Sequence, residues 1–335
     1  MIIRFKKVIL GVFCGLILIS CKESDQKSSG NEDTTASDVY AGNPVVKDLF
    51  TADPAALVHD NKLYLFTGHD EQEEGKEGFV MNDWLVFSTT DMVNWTNHGA
   101  RLSVDIFEWA KADAWAAHVV EKEGKFYWYV TVEHATIPGK AIGVAVSDNI
   151  LGPYKDAIGH ALVTNEMTTH TNIFWDDIDP AVLVDEDGSA HLYWGNTVLK
   201  YAKLKSNMIE LEGDIEVIDV PSFTEGPYVY KRADKYYLSF SALFPEVIDY
   251  AMADSPSGPW EYKGRLFDEV PNSPTNHQAV VEYKGDWYFI YHNAALNGGG
   301  EFRRSVCVDY AYFNEDGTMK KIVPTGRGVK QITED

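Results

Sequence analysis

Three acidic residues stand one or two positions before a proline where an apolar strand begins. They are Asp53 in Ala52-Asp53-Pro54, Asp179 in Ile178-Asp179-Pro180 and Glu225 in Thr224-Glu225-Gly226-Pro227. Carboxyl groups that share a pocket can hydrolyse a glycosidic bond, because one protonates the leaving oxygen while another activates water or attacks the anomeric carbon. The acid must stay neutral near neutral pH, which burial or a nearby like charge achieves. Because an acidic residue before proline is also a common strand-entry turn, this chemistry requires a fold that brings the three together.

The segments that carry these acids follow one repeated pattern. Residues 178–195 contain an apolar strand, an Asp-Glu-Asp-Gly turn and an aromatic strand, which is the signature of a β-hairpin. Four further copies occur, with aromatic strands that begin near residues 63, 126, 236 and 287. Five repeats with room for four strands each predict an all-β fold, a five-bladed β-propeller. A β-sandwich also has short, regularly spaced strands, but it would not repeat one hairpin five times.

The repeat predicts a ring of residues at one mouth of the propeller channel, since the first strand of each blade lines that channel. Four positions before the first apolar residue of each copy, the chain places three carboxylates, a Trp and an Asn, with a His directly after the Asn. These residues are Asp53, Trp115, Asp179, Glu225, Asn276 and His277. A purely structural repeat would be expected to place similar turn residues at these positions.

With these motifs in this order, the chain resembles glycoside hydrolase family 43, whose members are five-bladed propellers that invert configuration. The resemblance covers residues 43–335 and implies Asp53 as general base, Glu225 as general acid and Asp179 as the carboxylate that tunes and orients the acid. Similarity to the arabinoxylan arabinofuranohydrolase branch rests on further segments, at residues 67–71, 245–250, 275–277 and 303–309. One departure is Trp115-Ala116-Ala117, where many relatives have Trp-Ala-Pro; it bears on the shape of the blade-two wall and not on the chemistry.

Trp115, Asn276 and His277 are candidate substrate-binding residues. Trp115 could be a platform for a sugar ring or a packing residue. His277 could be a satisfied core histidine, but the resemblance suggests that it binds a structural calcium ion, otherwise coordinated by water, in the central channel. No cofactor is expected for the chemistry itself. The Asp-Glu-Asp-Gly segment at 185–188 lacks the spacing and closing Glu of a calcium loop and is interpreted as a turn.

Three further candidates for substrate contact lie elsewhere in the chain. Arg304 follows the glycine run at residues 298–300 and could bind substrate or a carboxylate. His69 and Asp70 end the second strand of blade one. A surface ion pair is the structural alternative for Arg304.

The N-terminus resembles a bacterial lipoprotein signal. Residues 1–20 combine basic residues with a short apolar run, and Leu18-Ile19-Ser20-Cys21 resembles a lipobox, which predicts cleavage before Cys21 and its acylation. Residues 21–42 are predicted to be the lipidated cysteine and a flexible tether, ahead of a catalytic domain at 43–335. We therefore expect a protein of the bacterial cell envelope, lipid-anchored in the outer membrane and facing either the periplasm or the surface. An uncleaved membrane anchor is the alternative.

Composition restricts the partners. The formal net charge is −22, which disfavours nucleic acid and anionic lipid headgroups but is compatible with a neutral sugar. Cys14 would leave with the signal and Cys21 would carry lipid, which leaves Cys307. We therefore expect no disulfide within the mature domain and a buried Cys307 thiol. A monomer is expected.

The sequence therefore predicts an inverting, exo-acting α-L-arabinofuranosidase that removes arabinose side chains from arabinoxylan, a plant cell-wall polysaccharide. A β-xylosidase acting on xylo-oligosaccharides is the alternative, because xylose and arabinofuranose offer similar hydroxyls to such a pocket. A lipid-anchored carbohydrate-binding propeller without turnover is a further alternative, from a different functional class. Three aligned acids argue against it, since a binding protein has no need of them.

Overall fold

The computed structural model describes residues 38–168 and 171–333. Nearly all of its regular structure is antiparallel β-sheet, in five separate sheets that follow one another along the chain. The five predicted hairpins are all present, because each apolar strand ends in a turn rich in Gly, Asn or Asp and returns as an aromatic strand. Among the described residues, no helix is both long enough and apolar enough to cross a membrane.

Blades one and two are formed by strands β1 to β10. Blade one pairs its strands in chain order, β1 (Thr51–His59), β2 (Lys62–His69), β3 (Asp83–Thr89) and β4 (Thr96–Ser103), and a 3-10 turn follows at Val104–Ile106. Blade two is built on a central hairpin with short strands added at its edges: β5 (Ala110–Ala112), β6 (Ala117–Lys122), β7 (Lys125–His134), β8 (Lys140–Ser147), β9 (Lys155–Asp156) and β10 (Val163–Thr164).

The remaining three blades are formed by strands β11 to β21. Blade three contains β11 (Ala181–Val184), β12 (Ala190–Trp194), β13 (Leu199–Leu204) and β14 (Leu211–Ile218). Blade four contains β15 (Phe223–Arg232), β16 (Lys235–Ala242), β17 (Val247–Ala253) and β18 (Glu261–Phe267). Blade five has three strands, β19 (Gln278–Tyr283), β20 (Asp286–Asn293) and β21 (Ser305–Tyr310). Among the described residues, the predicted four strands per repeat therefore hold for blades one, three and four only.

The inner strands form a closed ring, which confirms the predicted five-bladed β-propeller. Strand β1 contacts β6, β6 contacts β11, β11 contacts β15, β15 contacts β19, and β19 contacts β1 again. Hydrophobic clusters fill the interfaces between blades, and Trp84, Trp128 and Trp194 are among their largest fully buried side chains. Cys307 is a free, buried cysteine within this core, as predicted.

The segment that precedes β1 pairs with blade five and with the C-terminal residues. The Val45 N–H donates to the Val306 carbonyl at 2.9 Å, which adds backbone hydrogen bonding at the outer edge of three-stranded blade five. Residues 41–43 pair in the same way with residues 326–329. Residues 41 and 42, the last two of the predicted tether, are therefore hydrogen-bonded to the propeller. Cys21 and residues 1–37 lie outside the described part of the chain.

Candidate active site

Six of the sequence-predicted residues line one cavity of about 300 Å³. They come from all five blades or from the segments that enter them, and they combine three acids with aromatic and basic side chains: Asp53, Trp115, Asp179, Glu225, His277 and Arg304. A cavity with a few convergent polar groups and aromatic walls is the usual form of a small-molecule site.

Asp53 and Asp179 reach the cavity from unusual backbone positions. Both have left-handed backbone conformations, with φ of 50° and 59°, and each directly precedes a proline. Such conformations are uncommon outside glycine, and they concentrate at functional sites. At Asp53 the backbone makes a bulge between Ala52 and Ala55, so the strand bends as it enters the blade.

Glu225 does not occupy the equivalent position in blade four. There Gly226, with φ of 58°, takes the left-handed place before Pro227, and the strand bulges between Glu225 and Tyr228. Glu225 is therefore one residue earlier than Asp53 in the common register, which corrects the predicted ring. Its carboxyl still lines the cavity, because the bulge changes how successive side chains are directed.

Asp53 is held ionised by positive charge. Arg304 Nη1 lies 2.8 Å from Asp53 Oδ1, while Nδ1 of His292 and of His277 lie 3.4 and 3.8 Å from the same oxygen. Burial alone would raise the pKa of Asp53, but the charge of Arg304, with smaller contributions from the two histidines, lowers it below its usual value. At neutral pH this carboxylate can therefore accept a proton.

Asp70 acts on the site through Arg304. Its two oxygens accept hydrogen bonds from Arg304 Nε and Nη2, each at 2.9 Å, and Oδ2 also accepts the Arg304 backbone N–H at 2.8 Å. A bidentate pair of this kind fixes the plane of the guanidinium. Among the described residues, neither Asp70 nor His69 lines the cavity. His69 Nδ1 instead contacts Asp83 Oδ1 at 2.9 Å, so direct substrate contact, as predicted for both, is not supported.

Glu225 has the opposite protonation preference from Asp53. Burial raises the pKa of Glu225 to about 7, while a hydrogen bond from Asn196 lowers it and the charge of Asp53 raises it. The Asn196 amide donates to Glu225 Oε2 at 2.7 Å. A carboxyl group with such a pKa can keep a proton near neutral pH and release it during a reaction.

Asp179 is coupled to Glu225 by charge and by the backbone. Burial, together with the charges of Glu225 and Asp53, raises the pKa of Asp179 well above its usual value. Asp179 Oδ2 also accepts the N–H of Gly226 at 3.0 Å, so it holds the residue next to Glu225. At neutral pH the two carboxyl groups therefore do not both ionise.

The cavity wall is aromatic and contains residues that the sequence analysis missed. Lys140 Nζ lies 3.9 Å from the centre of the Trp115 ring, so this cation covers part of the indole. Phe79, Met81 and Trp175 also line the cavity, and Trp175 is 48% exposed. The one signal for Trp175 was its position four residues before Asp179.

Asn276 differs from its prediction. Its side chain is buried and lines no part of the cavity among the described residues, whereas its neighbours Thr275 and His277 do. The Asn276 backbone N–H instead donates to Glu246 Oε2 at 2.6 Å. Glu246 is a fourth buried acid. It was absent from the predicted site because it lies in the turn between β16 and β17, not at the entry of a blade's first strand.

His277 meets one requirement of a metal ligand. Burial lowers its pKa, so the imidazole is neutral, the form that binds metal ions. The carboxylate beside it, Asp53, is already paired with Arg304. The oxygen ligands that calcium prefers would therefore have to come from water. A calcium ion at His277 stays a prediction, and no catalytic step proposed below depends on it.

Comparisons with known proteins give one consistent family. Residues 41–319 match the sequence model of glycosyl hydrolases family 43. The chain is 30% identical to an arabinoxylan arabinofuranohydrolase of Paenibacillus polymyxa, over 87% of this chain and 53% of that enzyme. It is 31% identical to a xylosidase/arabinosidase of Bacteroides ovatus, over 81% and 94%. The solved structure of a Clostridium thermocellum α-L-arabinofuranosidase superposes with a TM-score of 0.72 and 35% identity, covering 85% of this chain and 97% of that one.

The aligned region spans only about half of the Paenibacillus enzyme, so properties of that whole protein do not transfer directly. The relatives also differ in their named activities, with arabinofuranosidase and xylosidase both represented. The family itself is unambiguous, since its sequence model matches most of the chain and the five-bladed fold agrees. This chain belongs to glycoside hydrolase family 43.

Proposed function

We propose that the chain is an inverting, exo-acting α-L-arabinofuranosidase that removes arabinose side chains from arabinoxylan, with Asp53 as general base and Glu225 as general acid. The observation that carries this proposal is the contrast between two carboxyl groups in one cavity. The pKa of Asp53 is lowered, whereas burial raises that of Glu225 to about 7. Glycoside hydrolysis needs such a pair, one group ionised and the other protonated.

In the proposed reaction, water attacks the anomeric carbon while the glycosidic oxygen leaves. Asp53 takes a proton from the water, and Glu225 gives its proton to the leaving oxygen. The water's oxygen forms the new bond to carbon as the bond to the leaving oxygen breaks. Arg304 keeps Asp53 ionised before the reaction. Asp179 orients the acid by binding the Gly226 N–H.

The blade arrangement favours inversion in this proposal. Asp53 enters from blade one and Glu225 from blade four, and the contacts of β19 with both β1 and β15 put blade five between them. An inverting site needs about 6.5–9.5 Å between its two carboxyl groups, to leave room for water. Carboxyl groups on non-adjacent blades are suited to that wider spacing.

The choice of arabinose follows from the named activities of two similar proteins, those of Paenibacillus and Clostridium. The Bacteroides relative, named xylosidase/arabinosidase, keeps β-xylosidase as the second candidate. Purified protein would be assayed on nitrophenyl α-L-arabinofuranoside and nitrophenyl β-D-xyloside. A higher kcat/KM for the arabinofuranoside supports the proposal, and a higher value for the xyloside favours the alternative.

A binding protein without turnover would behave differently in the same assay. It would hydrolyse neither substrate, yet it would still bind arabinoxylan oligosaccharides in calorimetry. An Asp53→Asn variant provides the control, because it removes the proposed base while leaving a side chain of almost the same shape. Wild-type turnover that this variant loses would exclude the binding-only interpretation.

A further inference from the structure

Glu246 is a buried acid that the proposed mechanism does not use. It ends the four-residue turn 243–246 between β16 and β17, and it is 2% exposed. Its backbone N–H donates to the Pro274 carbonyl at 2.8 Å, and its Oε2 accepts the Asn276 N–H at 2.6 Å. The neighbouring Phe244 is instead 69% exposed. The turn therefore directs one acidic side chain inward and holds it there from two sides.

The inward carboxyl group meets the proposed general acid. Glu225 pairs with Ser241 across the β15–β16 ladder, and the Ser241 hydroxyl donates to the Asn276 carbonyl. Glu246 accepts the N–H of the same Asn276, so both acids lie around this residue. A hydrogen bond between their side chains lowers the pKa of Glu225. Two ionised carboxylates offer only acceptors, so this contact requires a proton on one of them. Burial raises the pKa of Glu246 well above its usual value, and the charge of Glu225 raises it further. Glu246 is therefore the partner that carries the proton when Glu225 is ionised.

Other charged groups around the pair act in known directions. Asp53, which enters on β1, and Asp179, which precedes β11, both disfavour a charge on Glu246. Arg304, which precedes β21, lowers the pKa of Glu225. His277 and His292 face Asp53. These surroundings keep Glu246 neutral across the range in which Glu225 titrates.

We propose that Glu246 is a positioning residue for the general acid: a neutral carboxylic acid that donates a hydrogen bond to Glu225 and ties it to the Asn276 backbone. This inference rests on the proposed role of Glu225. A donor at this place stabilises ionised Glu225 and so opposes the effect of burial. Without it, Glu225 would hold its proton too tightly to be an efficient donor near neutral pH.

Two substitutions separate this role from its alternatives. Glu246→Gln keeps an oxygen for the Asn276 N–H and an N–H for Glu225, but it cannot ionise. The alkaline limb of the kcat/KM–pH profile of this variant should match that of the wild type. Glu246→Met has similar length but lacks both polar groups. Its alkaline limb should move to higher pH by about 1–2 units, the size expected for losing a hydrogen bond to a charged group.

A readout that needs no activity is infrared spectroscopy of protonated carboxyl groups. Above the alkaline limb of the wild type, Glu225 is ionised and Glu246 should still be protonated. The carboxylic acid band should therefore be weaker in Glu246→Gln than in the wild type, with the band of Asp179 common to both. This comparison remains available if Glu246→Met does not fold.

Three results would overturn the inference. A shift of the Glu246→Gln limb to lower pH would mean that Glu246 is ionised in the wild type. If neither variant shifts the alkaline limb of the kcat/KM–pH profile, Glu246 has a structural role only. If the carboxylic acid band is equally strong in Glu246→Gln and in the wild type, Glu246 is not protonated. Failure of the proposed function has a different signature, because Glu225→Gln would then keep the wild-type alkaline limb whatever happens at residue 246.

Discussion

Arg304 Nη1 lies 2.8 Å from Asp53 Oδ1, although the two residues are 251 positions apart in the chain. The same guanidinium is held in its plane by both oxygens of Asp70. Asp53 therefore meets a positive charge whose position is fixed by a second carboxylate. This arrangement keeps the proposed base ionised in a buried cavity, where burial alone would favour its neutral form.

Replacing Arg304 by Gln should raise the pKa of Asp53 and impair the base. Because the base works in its ionised form, the acidic limb of the kcat/KM profile should move to higher pH. Loss of the buried cation should also lower the free energy of unfolding by roughly 3–5 kcal/mol, since two carboxylates lose their partner. The measurements are a pH–rate profile and denaturant unfolding.

Arg304→Lys is the matched control for that change. It keeps a positive charge beside Asp53 but loses the two-pronged contact with Asp70. Its acidic limb should therefore stay nearer to the wild-type position than that of Arg304→Gln. If both variants leave the acidic limb unmoved, Asp53 is not the group that titrates there.

Replacing Glu225 by Gln should slow substrates according to their leaving groups. A poor leaving group needs protonation, so its hydrolysis should fall by roughly 10²- to 10⁴-fold, the usual contribution of a general acid. A dinitrophenyl glycoside needs little protonation and should be partly spared. In Asp53→Asn both substrates should fall together, and external azide should restore turnover by replacing the activated water. Equal losses on both substrates in Glu225→Gln would remove Glu225 from the acid role.

We also propose that Cys21 carries a lipid that anchors the protein in the outer membrane. The full-length protein, expressed in a bacterial host that processes lipoproteins, should fractionate with membranes and incorporate labelled fatty acid. Cys21→Ala should abolish the label, because the thiol is the acylation site. Labelling that persists in this variant would contradict the assignment. Protease treatment of intact cells would then distinguish a surface-facing protein from a periplasmic one.

Local sequence patterns were sufficient for the central hairpin of each blade. Each predicted hairpin is present because alternating apolar residues and a turn sequence act over fewer than twenty residues. The same repeat brought Asp53, Asp179 and Glu225 to one cavity. It misplaced Glu225 by one register position, since bulges are set by the left-handed residue before proline rather than by hydrophobic spacing.

Local sequence patterns did not predict the contacts between segments that are distant in the chain. Asp70 was taken for a substrate contact, whereas it binds Arg304, 234 residues later. Asn276 was taken for a cavity residue, but its backbone binds Glu246. Each of these pairings depends on how neighbouring blades pack. A hairpin pattern within one blade carries no information about how that blade packs against the next.

The central claim, that Asp53 and Glu225 act as an inverting pair across the cavity, is tested most directly by the stereochemistry of the first-formed sugar. Proton NMR would follow hydrolysis of a nitrophenyl α-L-arabinofuranoside before the product mutarotates, with the xyloside as substrate if that is preferred. Direct attack by water predicts that the first anomer has the configuration opposite to that of the substrate. A first anomer of retained configuration would require a covalent intermediate on a nucleophile and would contradict the assignment of Asp53 as general base.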